Sequence, residues 1–269
     1  MLTEGVGLVS FYSISSHHII LKMIKMGKRV IIVGATSGIG LEVARIYLGR
    51  GYTLGLAGRR IDRLEEIRRK DPSHVFIKRI DVTSDDAAGC LHELIDDVGG
   101  MDLYIHCSGV GSQNMLLDWD IERNTISTNA SGFARMVLAA YRYFADNGIM
   151  GQIAVISSIA GTKGLGAAPS YSATKRFQNT YIDSLAQLSR MRGDNISFTD
   201  IRPGFIRTDL LKDGRHYPML MSVEYASRLI TKAIDRRKRS KIIDWRYAIL
   251  VFLWRLIPEW LWERLPIRN

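Results

Sequence analysis

A chain of 269 residues with 46% hydrophobic and 24% charged residues has the composition of an ordinary globular protein, which excludes disorder and suits one α/β domain. Its formal net charge of +10 admits an acidic partner or an anionic membrane surface. The basic residues are dispersed and no reader motif accompanies them, so no nucleic-acid partner is expected. Cys90 and Cys107 have no paired spacing, which excludes a disulfide framework and points to a reducing, cytoplasmic setting.

Residues 1–25 do not read as a secretory signal, because Glu4 stands where positive charge is wanted and Ser and His break the apolar run. They are read as an N-terminal extension, with Met23 or Met26 as a candidate natural start. From Lys28 strand-like and helix-like segments alternate. Strands are expected at 29–33, 53–57, 75–80, 102–107, 153–157 and 196–201, with helical segments between them, the first over 40–50. Near-continuous apolar strands bracketed by helices predict a doubly wound, Rossmann-type fold, its mostly parallel sheet of about seven strands covered on both faces. The expected domain runs over 26–244.

Gly34-Ala35-Thr36-Ser37-Gly38-Ile39-Gly40 follows the first strand and opens the first helix. Glycines there allow a sharp turn, close approach of backbone to a pyrophosphate and tight strand–helix packing, while the helix N-terminus offers N–H groups to the anion. A glycine-rich turn alone is a weak signal; its strand–turn–helix context strengthens it. The second strand ends Gly58-Arg59-Arg60, with glycine where NAD binders carry an acid. Guanidinium groups there can clamp a 2′-phosphate, so NADP(H) is expected over NAD(H); the bland reading is a solvated basic loop.

Tyr171 and Lys175 are one helical turn apart and share a face. A nearby ammonium stabilises a phenolate and so brings tyrosine, with an ordinary pKa of about 10, toward neutral acid–base work. The same spacing also arises by chance on solvated helices. Ser157 and Ser158 end the fifth strand, where a hydroxyl can meet a substrate carbonyl, and Asn129 lies in a helical segment after the fourth. The six histidines form no ligand spacing, and no metal is expected. Cys107 reads as a small buried hydrophobe.

Taken in order, the glycine loop, Asp81-Val82, His106-Cys107-Ser108-Gly109, Asn129, Ser158, Tyr171, Lys175 and the run from Pro203-Gly204 to Thr208 resemble the classical short-chain dehydrogenase/reductase family over residues 28–243. The resemblance implies an oxidoreductase moving a hydride between NADP(H) and a carbonyl or alcohol, with Tyr171 as general acid or base. It implies that Lys175 holds the nicotinamide ribose and depresses the Tyr171 pKa, and that Ser158, rather than Ser157, orients the substrate oxygen. Asn129 would hold a water linking Lys175 to solvent. Asp81 and Val82 would border the adenine, Ser108 and Gly109 would line the cofactor, and Pro203, Gly204, Ile206 and Thr208 would cover the nicotinamide. Two departures, Val33 for the usual threonine and His106-Cys107-Ser108-Gly109 for Asn-Asn-Ala-Gly, bear on loop geometry more than on chemistry.

Residues 210–222, with Leu211, His216, Tyr217, Met219 and Met221, fall where the family carries its substrate loop and suggest an apolar or acyl-chain ligand. The family tends to pair through the Tyr171 helix and a helix over 223–236, so a homodimer or homotetramer is expected. The tail over 245–269 is apolar and rich in tryptophan, follows the basic run Arg236 to Lys241, and is too short to span a bilayer. Arg246 and Arg255 deny it a clean amphipathic face. It either packs on the domain or a second subunit, or anchors at the inner face of a membrane. The rival to an enzyme is a non-catalytic NADP(H)-binding sensor or scaffold.

Overall fold

The computed structural model describes residues 28–211 and 217–267. The N-terminal extension, Met23 and Met26 included, and residues 212–216 of the expected substrate segment, with His216, lie outside the described residues. Seven strands form one sheet: β1 (Arg29–Val33), β2 (Thr53–Gly58), β3 (Val75–Arg79), β4 (Leu103–His106), β5 (Gly151–Ile156), β6 (Ile196–Arg202) and β7 (Ser240–Ile242). Their order is β3-β2-β1-β4-β5-β6-β7 and every pairing is parallel. The winding reverses between β1 and β4, which opens a crevice at the strands' carboxyl ends.

The described helices are α1 (Gly38–Leu48), α2 (Ile61–Arg68), α3 (Ala87–Val98), α4 (Trp119–Ile126), α5 (Phe133–Asp146), α6 (Pro169–Arg192), α7 (Val223–Asp235), α8 (Trp245–Leu256) and α9 (Glu259–Trp262). Successive strand side chains point to opposite faces, so β1 feeds two cores. Val30 and Ile32 pack with Val43 and Tyr47 of α1 and Ile230 and Ile234 of α7. Ile31 and Val33 pack with Leu91 and Leu94 of α3, Phe133 and Val137 of α5 and Ile182 of α6.

The expected strands all form, their ends displaced by a residue or two. β7, which no apolar run announces, is Ser-Lys-Ile at an exposed sheet edge inside the basic run. A lysine on an edge strand discourages further pairing.

The tail packs on the domain, the first of its two expected placements. α8 does present a buried face, Tyr247 and Val251, with Leu250 and Trp254 packed on the same core. Arg246 does not interrupt it, because its guanidinium folds back onto Asp244, Nε to Oδ1 at 3.0 Å and Nη2 to Oδ2 at 2.8 Å. The Tyr247 hydroxyl accepts from the Phe205 N–H at 3.0 Å and lies 2.9 Å from the Pro218 carbonyl oxygen. A Cβ on Gly204 would come within 2.3 Å of the Tyr247 ring, so only glycine fits there.

His106 on β4 is fully buried between the Tyr104 hydroxyl, 2.9 Å from Nδ1, and the Phe133 ring, met edge-on at 5.1 Å. Burial, aided by the charge of Lys175, pushes its pKa down from 6.5 to about 3. The folded chain therefore binds fewer protons than the unfolded chain between those values, so stability falls as pH drops through that window. We expect His106→Asn to flatten the dependence. Urea midpoints of the wild type should fall between pH 7 and pH 5 by more than the variant's, at up to roughly 1.4 kcal/mol per pH unit; parallel slopes would show that His106 does not titrate.

Candidate active site

The glycine loop sits against β4. Gly34 has φ +93°, and a Cβ there would strike the Ser108 nitrogen at 2.5 Å; a Cβ on Gly40 would lie 2.2 Å from the Gly34 carbonyl oxygen. Ser37 precedes α1 without a side-chain cap, so the first-turn N–H groups around Gly38, Ile39 and Gly40 remain available to an anion. Thr208 closes over them, its Cγ2 3.1 Å from where a Gly38 Cβ would stand, and Ile206 is fixed by a bridge to Met221.

Arg60 folds onto this loop, Nη2 donating to Thr36 Oγ1 at 2.9 Å and to Ser37 Oγ at 2.7 Å. Arg59 is exposed at the end of β2. Gly58 is required sterically, since a Cβ would meet Thr36 Cγ2 at 2.6 Å. The Asp81 carboxylate accepts from the N–H and hydroxyl of Thr83 at 3.0 and 2.7 Å. Burial opposes its charge, but those bonds together with Arg59 and Arg79 hold its pKa below the ordinary value. Val82 is buried against Gly132.

Along the crevice, Ser158, Tyr171, Lys175 and Asn129 converge. Ser158 Oγ accepts from the Ala160 N–H at 3.1 Å, capping the short helical turn Ile159–Thr162, and reaches toward the Pro203 carbonyl oxygen. Ser157 is already engaged: its hydroxyl donates to the buried Asp200 carboxylate, which also accepts from Asn179 at 3.0 Å and Arg202 at 2.7 Å. Pro169 starts α6, where its missing N–H costs nothing, and one turn separates Tyr171 from Lys175. The Lys175 Nζ stands 5.8 Å from the Tyr171 ring centroid. Gly111 lies flat against that ring, a Cβ there falling 2.6 Å from its edge.

Lys175 is 4% exposed; its ammonium donates to the Ile156 carbonyl oxygen at 3.2 Å and to Gln178 Oε1 at 3.1 Å. Gln178 Nε2 in turn donates to the Asn129 carbonyl oxygen at 2.9 Å. The amide orientation is fixed by its neighbours, because an ammonium can only donate and a carbonyl can only accept. Asn129 sits in a π-helical turn, Ser127–Gly132, and its side chain clamps Val110, accepting from the N–H at 2.9 Å and donating to the carbonyl oxygen at 2.6 Å. Gly109 lies beside them, a Cβ there standing 3.2 Å from Asn129 Oδ1 and in ordinary contact with Lys175 Nζ at 3.5 Å.

Burial lowers the Lys175 pKa to about 8, with Asp200 and Cys107 pulling the other way. Contrary to the expectation that Lys175 depresses it, the Tyr171 pKa is raised by burial, and the group that offsets part of the rise is Ser158, through a hydrogen bond. The phenol is thus a proton donor at neutral pH, beside a second hydroxyl that can share a carbonyl oxygen. Burial also pushes the Cys107 thiol up to about 12, so it is no nucleophile. Among the described residues no group of three metal-ligating side chains occurs.

Sequence reasoning missed Gln178, Gly111 and Tyr247. Gln178 alone left a trace, three residues beyond Lys175 and hence on its face of the helix; the other two depend on contacts between distant segments.

The model of the short chain dehydrogenase family matches residues 28–217. An "Uncharacterized oxidoreductase" of Myxococcus xanthus is 30% identical over 243 residues, covering 88% of this chain and 95% of the relative. "Dehydrogenase/reductase SDR family member 7B" of Mus musculus is 26% identical over 252 residues, covering 85% and 77%. A solved short chain dehydrogenase of Burkholderia cenocepacia, in complex with NADP, superposes with a TM-score of 0.76 at 18% identity, covering 90% of this chain and 98% of that one. With the parallel sheet and the glycine loop already described, these similarities make the chain an oxidoreductase of the short-chain dehydrogenase/reductase family.

Proposed function

We propose that the chain is an NADP(H)-dependent reductase of a ketone or other carbonyl, reversibly oxidising the alcohol, and that its substrate is apolar or carries an acyl chain. The convergence of Ser158, Tyr171 and Lys175 in one crevice carries this reading. The crevice fits a dinucleotide: uncapped N–H groups open α1 and no acid ends β2. When bound, the dinucleotide supplies or accepts the hydride.

Tyr171, protonated at neutral pH, donates its proton to the carbonyl oxygen, and Ser158 donates a second hydrogen bond that stabilises the charge developing there. Lys175, held by Ile156 and Gln178, presents its remaining proton to the ribose and its charge to Tyr171. Gln178 bridges Lys175 Nζ and the Asn129 carbonyl oxygen. A primary amide neither gains nor loses a proton at neutral pH, so it positions Lys175 instead of relaying.

Arg59, with Arg60 behind it, favours a 2′-phosphate; the resemblance to a structure holding NADP supports the same preference. Thr36, Ser37, Asp81, Val82 and Ser108 line the nucleotide side, and Pro203, Gly204, Ile206 and Thr208 cover the nicotinamide side. We assign catalysis to residues 26–244 and place the protein in the cytoplasm, with the outer face of the tail available for peripheral membrane contact. Exposed Phe177, Leu188 and Met191 on α6 suit a homodimer or homotetramer. The apolar substrate is supported by Met115, Leu116, Leu117 and Trp119, all well exposed on a segment tied to the β5–α6 connection through the Asn114 N–H and Ala167 carbonyl at 2.8 Å.

The direct test follows NADPH oxidation across ketones graded by chain length, beside NADH. Turnover should rise with chain length, and Tyr171→Phe should lose roughly 100-fold or more while still binding NADPH; retained turnover would overturn the mechanism, and NADPH binding with no turnover even in the wild type would favour a sensor.

For cofactor choice, Arg59→Asp should cost NADPH roughly tenfold or more in kcat/KM, the scale of one charge-assisted hydrogen bond, while sparing NADH. Equal losses with both cofactors would remove Arg59 from recognition.

The Lys175 pKa of about 8 predicts that kcat declines as pH rises through that value, since the ammonium is lost. Gln178→Leu should move this limb down and Gln178→Glu should move it up, by about a pH unit. A limb unmoved in both variants would show that another group titrates.

A further inference from the structure

The tail turns one apolar face inward and leaves a second one outward. Trp245, Ile249, Phe252, Leu253 and Leu256 recur at helical spacing along α8 and continue onto Trp260 of α9, each 50–69% exposed. The fold has no use for this stripe, because Tyr247, Val251 and Trp254 already anchor the helix, Trp254 through a 3.0 Å bond from its indole to Thr162.

At the stripe's N-terminal end Trp245 shares a surface concavity of about 330 Å³ with Lys232, Arg236, Lys238 and Lys241. Among the described residues no ion pair neutralises these four, and the Asp244 carboxylate on the same rim is taken by Arg246. Further along, exposed Arg255 and Arg264 are balanced by exposed Glu259 and Glu263, so the positive charge is concentrated at the stripe's N-terminal end. Such a surface repels a second copy of itself, and it complements a sheet of negative charge. Among the described residues no helix is long and apolar enough to cross a membrane, so a lipid partner would be met in the plane of its interface.

We propose that this stripe docks the enzyme on an anionic phospholipid surface. The basic concavity takes lipid phosphates, while the indoles of Trp245 and Trp260 and the side chains between them settle at the headgroup–acyl boundary. The docked face adjoins the substrate side. The Trp262 indole donates to the Gly164 carbonyl oxygen at 2.7 Å and Lys163 Nζ to the Ile257 carbonyl oxygen at 2.8 Å. The tail thus packs on the connection between Ser158 and Tyr171. Docking would set the crevice beside dissolved apolar ketones, which rests on the proposed substrate class.

The experiment is co-sedimentation of the full chain with phosphatidylcholine vesicles and with phosphatidylcholine–phosphatidylglycerol vesicles. Phe252→Ser/Leu256→Ser and Lys238→Glu/Lys241→Glu variants are run alongside, with light scattering of each free protein. The wild type should pellet with the anionic vesicles and stay largely free of the neutral ones. Each double variant should bind roughly tenfold more weakly or worse. Both should keep wild-type turnover of a short water-soluble ketone, which certifies folding and leaves the enzymatic reading untouched, and lose turnover of a long-chain ketone carried in vesicles. Wild-type protein left in the supernatant with anionic vesicles overturns the proposal. So does a wild-type dimer that Phe252→Ser/Leu256→Ser dissolves into monomers without any change in vesicle binding, since a second copy would then cover the stripe.

Discussion

Placing an ammonium inside a protein is the constraint around which this site is arranged. A buried charge is tolerated only when hydrogen-bonded and balanced, and Lys175 meets that condition with the Ile156 carbonyl at the end of β5 and the Gln178 amide on its own helix. Asp200 on β6 supplies the compensating negative field from within the same core. Each partner belongs to a different element, so the lysine can be satisfied only when β5, β6, α6 and the π-helical turn at Asn129 are all in register. Its pKa, brought down to about 8, is the residue of that contest between burial and compensation.

The same economy separates neighbouring side chains of one type. Ser157 and Ser158 alternate across the end of β5: the first turns to Asp200 and becomes structure, the second turns into the crevice. Arg59 and Arg60 divide likewise, one exposed at the strand end and the other folded onto the glycine loop.

Much of this was legible in the sequence because the governing signals are local. Near-continuous apolar runs announce the inner strands, and a strand–glycine–helix junction has few alternatives. The preference for Ser158 over Ser157 rests only on the family resemblance, and no local signal foretells that Ser157 is held by Asp200. β7 was invisible because an exposed edge strand needs no apolar run, and its Ser-Lys-Ile looks like loop. The tail could be read only as two alternatives, because a helix apolar on both sides does not announce which side the domain covers; Tyr247 and Val251 face inward while Ile249 and Phe252 stay exposed. The role of Gln178 required the Asn129 carbonyl to be freed by a π-turn, which no periodicity reveals.

Gly204 and Tyr247 form a steric pair across 43 residues of sequence, the ring occupying the volume that any side chain at 204 would need. Neither position can drift alone. A larger residue at 204 expels the aromatic, and with it the hydroxyl that gathers Phe205, Pro218 and Met219. A tail recombined from a relative without an aromatic at 247 would leave a void over the Pro203–Thr208 segment. The tail and the segment over the crevice are therefore inherited as one unit, although they look like separate modules along the chain.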